Sequence, residues 1–364
     1  MLRFRCVTTA LLVVGCVANA VNASGQTPDA GKWRVSLVGG LSVFDLPDSG
    51  DRALPPPGPP LTTSSPTNPS RQVPTWFLND GASLLNGTNR EFGVAARLVP
   101  LDNALSRLGL TGENAPVAGL RLERTVTTRW SIEAGVELHS GSFDLDSQLI
   151  EAANATATSF EAAFTGLLTT GPFTNATVSA SAVTSGRSSR EIAATGAVRF
   201  VVKRGAVAPY LVGGGGIISR IGSLPTVTLT GDYAFTFVTN QGSAAFEESD
   251  TLVLRFDQGT RLIGIAGAGV SARLSERLDL MIDGRAYIGA PRLALVLDSD
   301  PVVTTLTPGR FIESFTTPAV QFSNNPSTGR NSTLSGAPLE GFRVFSASGV
   351  QIRYVVTAGV AFRF

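Results

Sequence analysis

The chain has 364 residues, 43% of them hydrophobic and 16% charged, with a formal net charge of +1. That charged fraction lies below the ~25% usual in soluble domains, and the near-zero net charge gives no electrostatic reason for a nucleic-acid partner. No window reaches about 18 uninterrupted apolar residues, which argues against a membrane-spanning helix, and the mildly positive mean hydropathy is what alternation of polar and apolar residues produces.

The N-terminus reads as a targeting segment rather than as fold. Arg3 and Arg5 form a basic start, Val7 to Val14 an apolar stretch, and Ala18-Asn19-Ala20 an A-x-A cleavage site. A second site follows Val21-Asn22-Ala23, so residues 1–23 are expected to be removed, with the cut near 20 or 23. Val13-Val14-Gly15-Cys16 also reads as a lipobox, in which Cys16 would be lipidated. Both cysteines, Cys6 and Cys16, fall in this segment, so the mature domain is expected to use neither disulfides nor thiols.

Trp33 to Phe44 reads as a first strand, with Trp33, Val35, Leu37, Leu41 and Val43 on one face and Arg34, Ser36 and Ser42 on the other. A long segment, about 45–115, follows. Its proline-rich start, Leu54 to Pro60, is expected to be mobile. Trp76, Phe77, Leu84, Leu85 and Phe92 are apolar enough to pack, and Leu101, Ala104, Leu105 and Leu108 have helical spacing after Pro100. The expectation there is a small folded cap over one barrel mouth.

A tight pair comes next. Val117 to Arg124 puts Ala118, Leu120 and Leu122 on one face, with Arg121 and Glu123 opposite. Trp130, Ile132, Ala134, Val136 and Leu138 alternate with Ser131, Glu133, Gly135, Glu137 and His139. A polar tract, about 140–189, separates this pair from the next, Arg190 to Val202 and Ala206 to Ser219. In the third long segment, about 220–258, Thr226 to Phe237 suggests a strand extension standing above the membrane. A pair at Thr260 to Arg273 and Arg277 to Ala290 precedes a last long segment, about 291–345. The final strand, Gly349 to Phe364, sets Val350, Ile352, Tyr354, Val356, Ala358, Val360, Phe362 and Phe364 against Gln351, Arg353, Thr357 and Arg363.

That final strand is long enough to cross a bilayer at a tilt, which takes roughly 9–11 residues. It ends on an aromatic and resembles the closing strand of Gram-negative outer-membrane β-barrels. The resemblance implies that Tyr354, Val360, Phe362 and Phe364 form the signal read by the barrel-assembly machinery. The count is eight strands, with three short and four long connections in strict alternation, as in barrels with short periplasmic turns and long external loops. Taking Phe92 to Val99 as a ninth strand would break the even parity. The expected fold is therefore all-β: a closed antiparallel eight-stranded transmembrane barrel similar to the small OmpA- and OmpX-like family, in the bacterial outer membrane. A soluble β-sandwich or lipocalin-like barrel is the rival and is disfavoured, because the apolar sets would then face inward and the outward sets should carry more charge.

With the apolar sets turned to lipid, Arg121, Glu123, Glu133, Glu137, Asp279, Asp283, Arg285 and Arg353 point into the lumen. Eight strands leave an interior just wide enough for side chains to fill it, and charges held there must pair. A salt-bridged plug is expected, with a narrow polar pore as the alternative. Trp33, Trp130, Tyr210, Tyr354, Phe362 and Phe364 are read as an outward aromatic girdle. Trp76 is read as cap packing in preference to carbohydrate stacking. His139, the only histidine, has Ser140, Ser142 and Glu137 nearby, a grouping similar to that of small lipid A deacylase barrels. Alternation turns His139 and Glu137 inward, away from lipid, so a rim histidine is expected instead. One His and no mature Cys leave no metal set. The runs Gly213 to Gly216 and Gly264 to Gly269 lack the strand–helix setting of a nucleotide site. No cofactor is expected. The expected partners are outer-membrane lipid, the assembly machinery during biogenesis, and an unidentified extracellular ligand bound by the loops. The functions in view are a structural or surface-interaction role, a small solute channel, or, third, a lipid-modifying enzyme.

Overall fold

The computed structural model describes residues 32–44, 46–47, 49–61, 70–112, 114–141, 143–171, 173–186, 189–239, 242–305, 315–316, 320–322, 324–325 and 330–364. The leader reading of residues 1–23, with Cys6 and Cys16, lies outside them, as does Ser142.

Eight strands close into one antiparallel barrel. In chain order, barrel strands one to eight are Trp33–Phe44, Ala115–Thr125, Trp130–His139, Ser189–Val201, Val207–Gly222, Arg261–Arg273, Leu278–Gly289 and Gln351–Arg363. Strands one and eight complete the ring, with Val35 opposite Phe362 and Leu41 opposite Val356. Alternation sets the two surfaces of this wall. Leu37, Leu41, Ile132, Val136, Leu211 and Leu262 are among the large apolar side chains exposed on the outside, and they form a belt that water would leave unburied. Small clusters such as Val117, Ala193, Ile218, Ile263 and Val355 share the interior with many charged groups.

The short connections, 126–129, 202–206 and 274–277, lie at one end. There the Phe364 N–H donates to the Trp33 carbonyl at 2.9 Å, so both ends of the barrel sequence sit beside the turns. The four long connections leave from the opposite end.

Those connections do not behave as four separate loops. Their strands assemble into a single six-stranded sheet in the spatial order Gly50–Arg52, Phe342–Ala347, Leu293–Thr305, Gly242–Gln258, Thr226–Thr239, Phe173–Ser185. The strand anticipated at Thr226 to Phe237 is the fifth of these. Two helices, Asn79–Glu91 and Ser147–Thr170, contribute to the same core. The 140–189 tract is therefore corrected from a polar loop to a helix and a strand. Its helix begins at Asp146, whose carboxylate accepts the Gln148 N–H at 3.2 Å. Leu149, Ala153, Phe160, Ala163, Phe164 and Leu167 then recur at intervals of three, four and seven, and all are buried. Among Ser, Thr and Ala this stripe is easily missed, because the small residues dilute its hydropathy.

The cap core is aromatic. Phe164 stacks on Tyr233 with ring centroids 4.2 Å apart, Phe160 lies 4.6 Å from Phe164, and Trp76 meets Phe164 edge-on at 5.5 Å. Glycine at 231 makes room for this, since a Cβ there would come within 2.6 Å of the Phe160 ring. Trp76, Phe77, Leu84 and Leu85 are all buried. The helical spacing after Pro100 is a short 3-10 helix, Leu101–Ser106, and residues 93–99 carry no strand. The folded cap is thus larger than the first connection alone suggested.

Candidate functional site: a charged lumen between a cap and a vestibule

The lumen is built in layers by inward side chains from every strand. In the middle layer, the Arg121 guanidinium donates to Glu137 Oε1 (2.7 Å), Asp283 Oδ2 (2.5 Å) and Thr357 Oγ1 (3.1 Å). Arg285 donates to both oxygens of Glu133, at 2.6 and 3.1 Å, and to Asp283 Oδ2 at 3.2 Å. The Tyr287 hydroxyl donates to Glu137 Oε2 at 2.6 Å and that of Tyr210 to Asp283 Oδ2 at 3.0 Å. Glu137 and Asp283 thus receive donors from two or more strands and Glu133 a bidentate guanidinium, as a buried charge needs if desolvation is to be offset. Arg121, Glu133, Glu137, Asp283 and Arg285 are each at most 2% exposed, so this layer fills the cross-section.

Towards the turns, Glu123 accepts from Arg34, from Arg199 at 3.0 Å and from Ser131 at 2.6 Å. Asp279 accepts from Arg363 at 2.8 Å and Arg34 at 3.4 Å. The Arg199 guanidinium also lies over the Tyr210 ring, 3.6 Å from its centroid. Towards the cap, Glu191 receives Arg353, Arg261 at 3.5 Å and the Gln258 amide at 2.6 Å.

The eight charged residues singled out from alternation all face this interior. Arg121, Glu133, Glu137, Asp283 and Arg285 meet directly, Glu123 and Asp279 are bridged by Arg34, and Arg353 belongs to the cap-side group. Alternation in strands four to six would also have added Glu191, Arg199 and Arg261. The reading of Tyr210 as an outward aromatic is corrected: it is 1% exposed and bonded inside the lumen. Its outward neighbour in strand five is Leu211, and Gly269 leaves the ring its space, since a Cβ there would stand 2.5 Å from it. Trp33, Trp130, Tyr354, Phe362 and Phe364 face outward, and Val360 is half-buried.

His139 is buried in the lumen, its Nε2 lying 3.7 Å from Glu137 Oε2, and neither ring nitrogen has a hydrogen-bond partner among the described residues. Ser140 is exposed, so alternation keeps it apart from His139. Among the described residues no group of three or more His, Cys, Asp or Glu side chains could hold a metal ion. Trp76 lies in the cap core, its Nε1–H donating to the Tyr233 hydroxyl at 3.1 Å.

Sequence reasoning missed a second polar centre, inside the cap. The Tyr233 hydroxyl donates to Glu248, and Asp250 Oδ2 accepts from the Trp76 N–H at 2.6 Å and the Thr75 hydroxyl at 2.9 Å. Both carboxyls are fully buried, and burial pushes each up to about 7 against ordinary values near 4. Phe246, Leu252, Leu254 and Phe256 share their face of the strand, so the phase of the apolar set was the available signal.

At the turn end the barrel opens into a vestibule of about 850 Å³. Its floor is the Arg34, Glu123, Arg199, Asp279 and Arg363 layer. At the cap end the space left beside Arg261, Tyr287 and Arg353 is about 10 Å³.

Solved structures similar to this chain are outer-membrane proteins. OprG from Pseudomonas aeruginosa is 11% identical, with 94% of this chain and 99% of that one covered and a TM-score of 0.38. The outer membrane protease OmpT from Escherichia coli is 7% identical, with 94% and 99% covered and a TM-score of 0.27. The toluene transporter TodX from P. putida is 9% identical, with 92% and 90% covered and a TM-score of 0.17. These likenesses are too distant to carry an argument about activity. No family model and no curated protein matches the chain.

Proposed function

We propose that this chain is an outer-membrane β-barrel, of the small OmpA- and OmpX-like kind, that anchors a folded external domain. The lumen network acts as a structural plug, and the cap is the surface that meets a partner outside the cell. One observation carries the reading: the four long connections share one sheet and one apolar core. Binding is commonly placed on connections held by a rigid scaffold, and here the scaffold presents a whole domain. The apolar outer belt supports the membrane placement, and Tyr354 and Phe362 on the last strand, with Phe364 just past it, fit an assembly signal. The test is a peptide epitope inserted between Thr239 and Gly242, at the tip of the cap hairpin. Staining on intact cells supports the proposed orientation, whereas staining only after the outer membrane is permeabilised refutes it.

A channel reading is favoured by the vestibule and opposed by the filled middle layer. A deacylase-like reading lacks support from the geometry, because His139 and Ser140 lie on opposite faces of the wall.

A further inference from the structure

The vestibule concentrates charge that the chain as a whole does not have. Eight basic and three acidic side chains line it, an excess of five positive charges in one cavity of a protein whose formal net charge is +1. Its floor is held rigidly, because Glu123 is shared by Arg34 and Arg199 and Asp279 by Arg34 and Arg363. Three guanidinium groups therefore stand over two carboxylates. The rim adds Arg129, Arg204 and Arg277, one from each short turn, and Lys32, Arg273 and Glu276 also line it. Arg129, Arg204 and Arg277 are exposed at the mouth. Bringing so many cations together is unfavourable unless an anion enters. A cavity of about 850 Å³ matches the size of small-molecule sites, roughly 300–1,000 Å³. Planar guanidinium donors are suited to bidentate contact with phosphate oxygens.

We propose that this vestibule is a binding site for phosphate-bearing anions, with Arg129, Arg204 and Arg277 as exposed contacts at the mouth and the Arg34, Arg199 and Arg363 layer as the floor. The phosphate could be that of a free small molecule or of a lipid headgroup at the adjacent membrane face, since both offer the same chemistry.

The experiment is calorimetric titration of inorganic diphosphate into the full chain in nanodiscs of zwitterionic phosphatidylcholine at low salt. Saturable binding is expected, weakening at least about tenfold in the Arg129→Gln/Arg277→Gln double variant. Those two side chains are exposed on turns and outside the lumen network, so the variant retains the barrel, which a heat-modifiability gel verifies. Repeating the titration in nanodiscs containing anionic phosphatidylglycerol separates the sources. Loss of diphosphate binding there identifies the headgroup as the occupant, and retained binding identifies a free anion. No saturable binding in the zwitterionic discs by about 1 mM diphosphate, or binding unchanged in the double variant, overturns the proposal.

Discussion

Cap stability should depend on pH through Glu248 and Asp250, and in the direction opposite to that of most carboxylates. Both are raised to about 7 by burial, so the folded cap holds protons that the unfolded chain releases near pH 4. Their stabilising contribution is complete below about pH 4, is lost as pH rises towards 7, and stays lost above it. The slope is about 1.4 kcal/mol per pH unit for each group, or roughly 3 to 4 kcal/mol per carboxylate across the window. The perturbation is Glu248→Gln and Asp250→Asn, singly and together. Each keeps an oxygen for its donors, Tyr233 in one case and Trp76 with Thr75 in the other, and neither can ionise. The assay is denaturant unfolding in detergent between pH 4.5 and 8.5, followed by Trp76 fluorescence. Trp33 and Trp130, the other two tryptophans, are replaced by Phe so that the signal reports the cap alone. Wild type should weaken steadily towards pH 7, each single variant should lose about half of that slope, and the double variant should be nearly flat. A wild-type profile that is flat, or a double variant that keeps the slope, would show that Glu248 and Asp250 do not hold these protons.

Phe164→Ala removes a ring that touches Trp76, Phe160 and Tyr233 and should cost the cap about 3–5 kcal/mol. Limited proteolysis should then cut the cap while the barrel still shows its heat-dependent gel shift. Arg285→Met leaves Glu133 without its bidentate partner and should destabilise the barrel by about 3–5 kcal/mol, read as a lower temperature for that shift; an Arg285→Met/Glu133→Gln pair should recover part of the loss. His139→Leu removes a ring with no hydrogen-bond partner among the described residues, so the barrel should keep its stability to within about 1 kcal/mol, and the lipid A profile of the host should be unchanged.

The barrel was legible because its code is local. A period of two, repeated between tight turns, says which face each side chain takes, and Arg121, Glu133, Asp283 and Arg285 follow from it directly. Tyr210 was misread because an aromatic near a strand end suggested a girdle, although its place between Pro209 and Leu211 gave the opposite phase. The cap was much less legible. Its sheet joins segments from four connections, and no local pattern announces that Thr226–Thr239 will pair with Phe173–Ser185. Glu248 and Asp250 share the phase of Phe246, Leu252 and Leu254, but the groups that bond Asp250, Thr75 and Trp76, come from another connection. Pairing partners and burial of that kind are tertiary properties, and a period of two cannot encode them.

The barrel is proposed to be a sealed anchor, its lumen closed by the Arg121, Glu133, Glu137, Asp283 and Arg285 layer. Planar-bilayer recording of the purified, heat-modifiable protein tests it most directly. No stepwise conductance above the bare bilayer is expected. Sustained ohmic steps whose size or ion selectivity changes on Arg285→Glu would contradict it and make the lumen a pore.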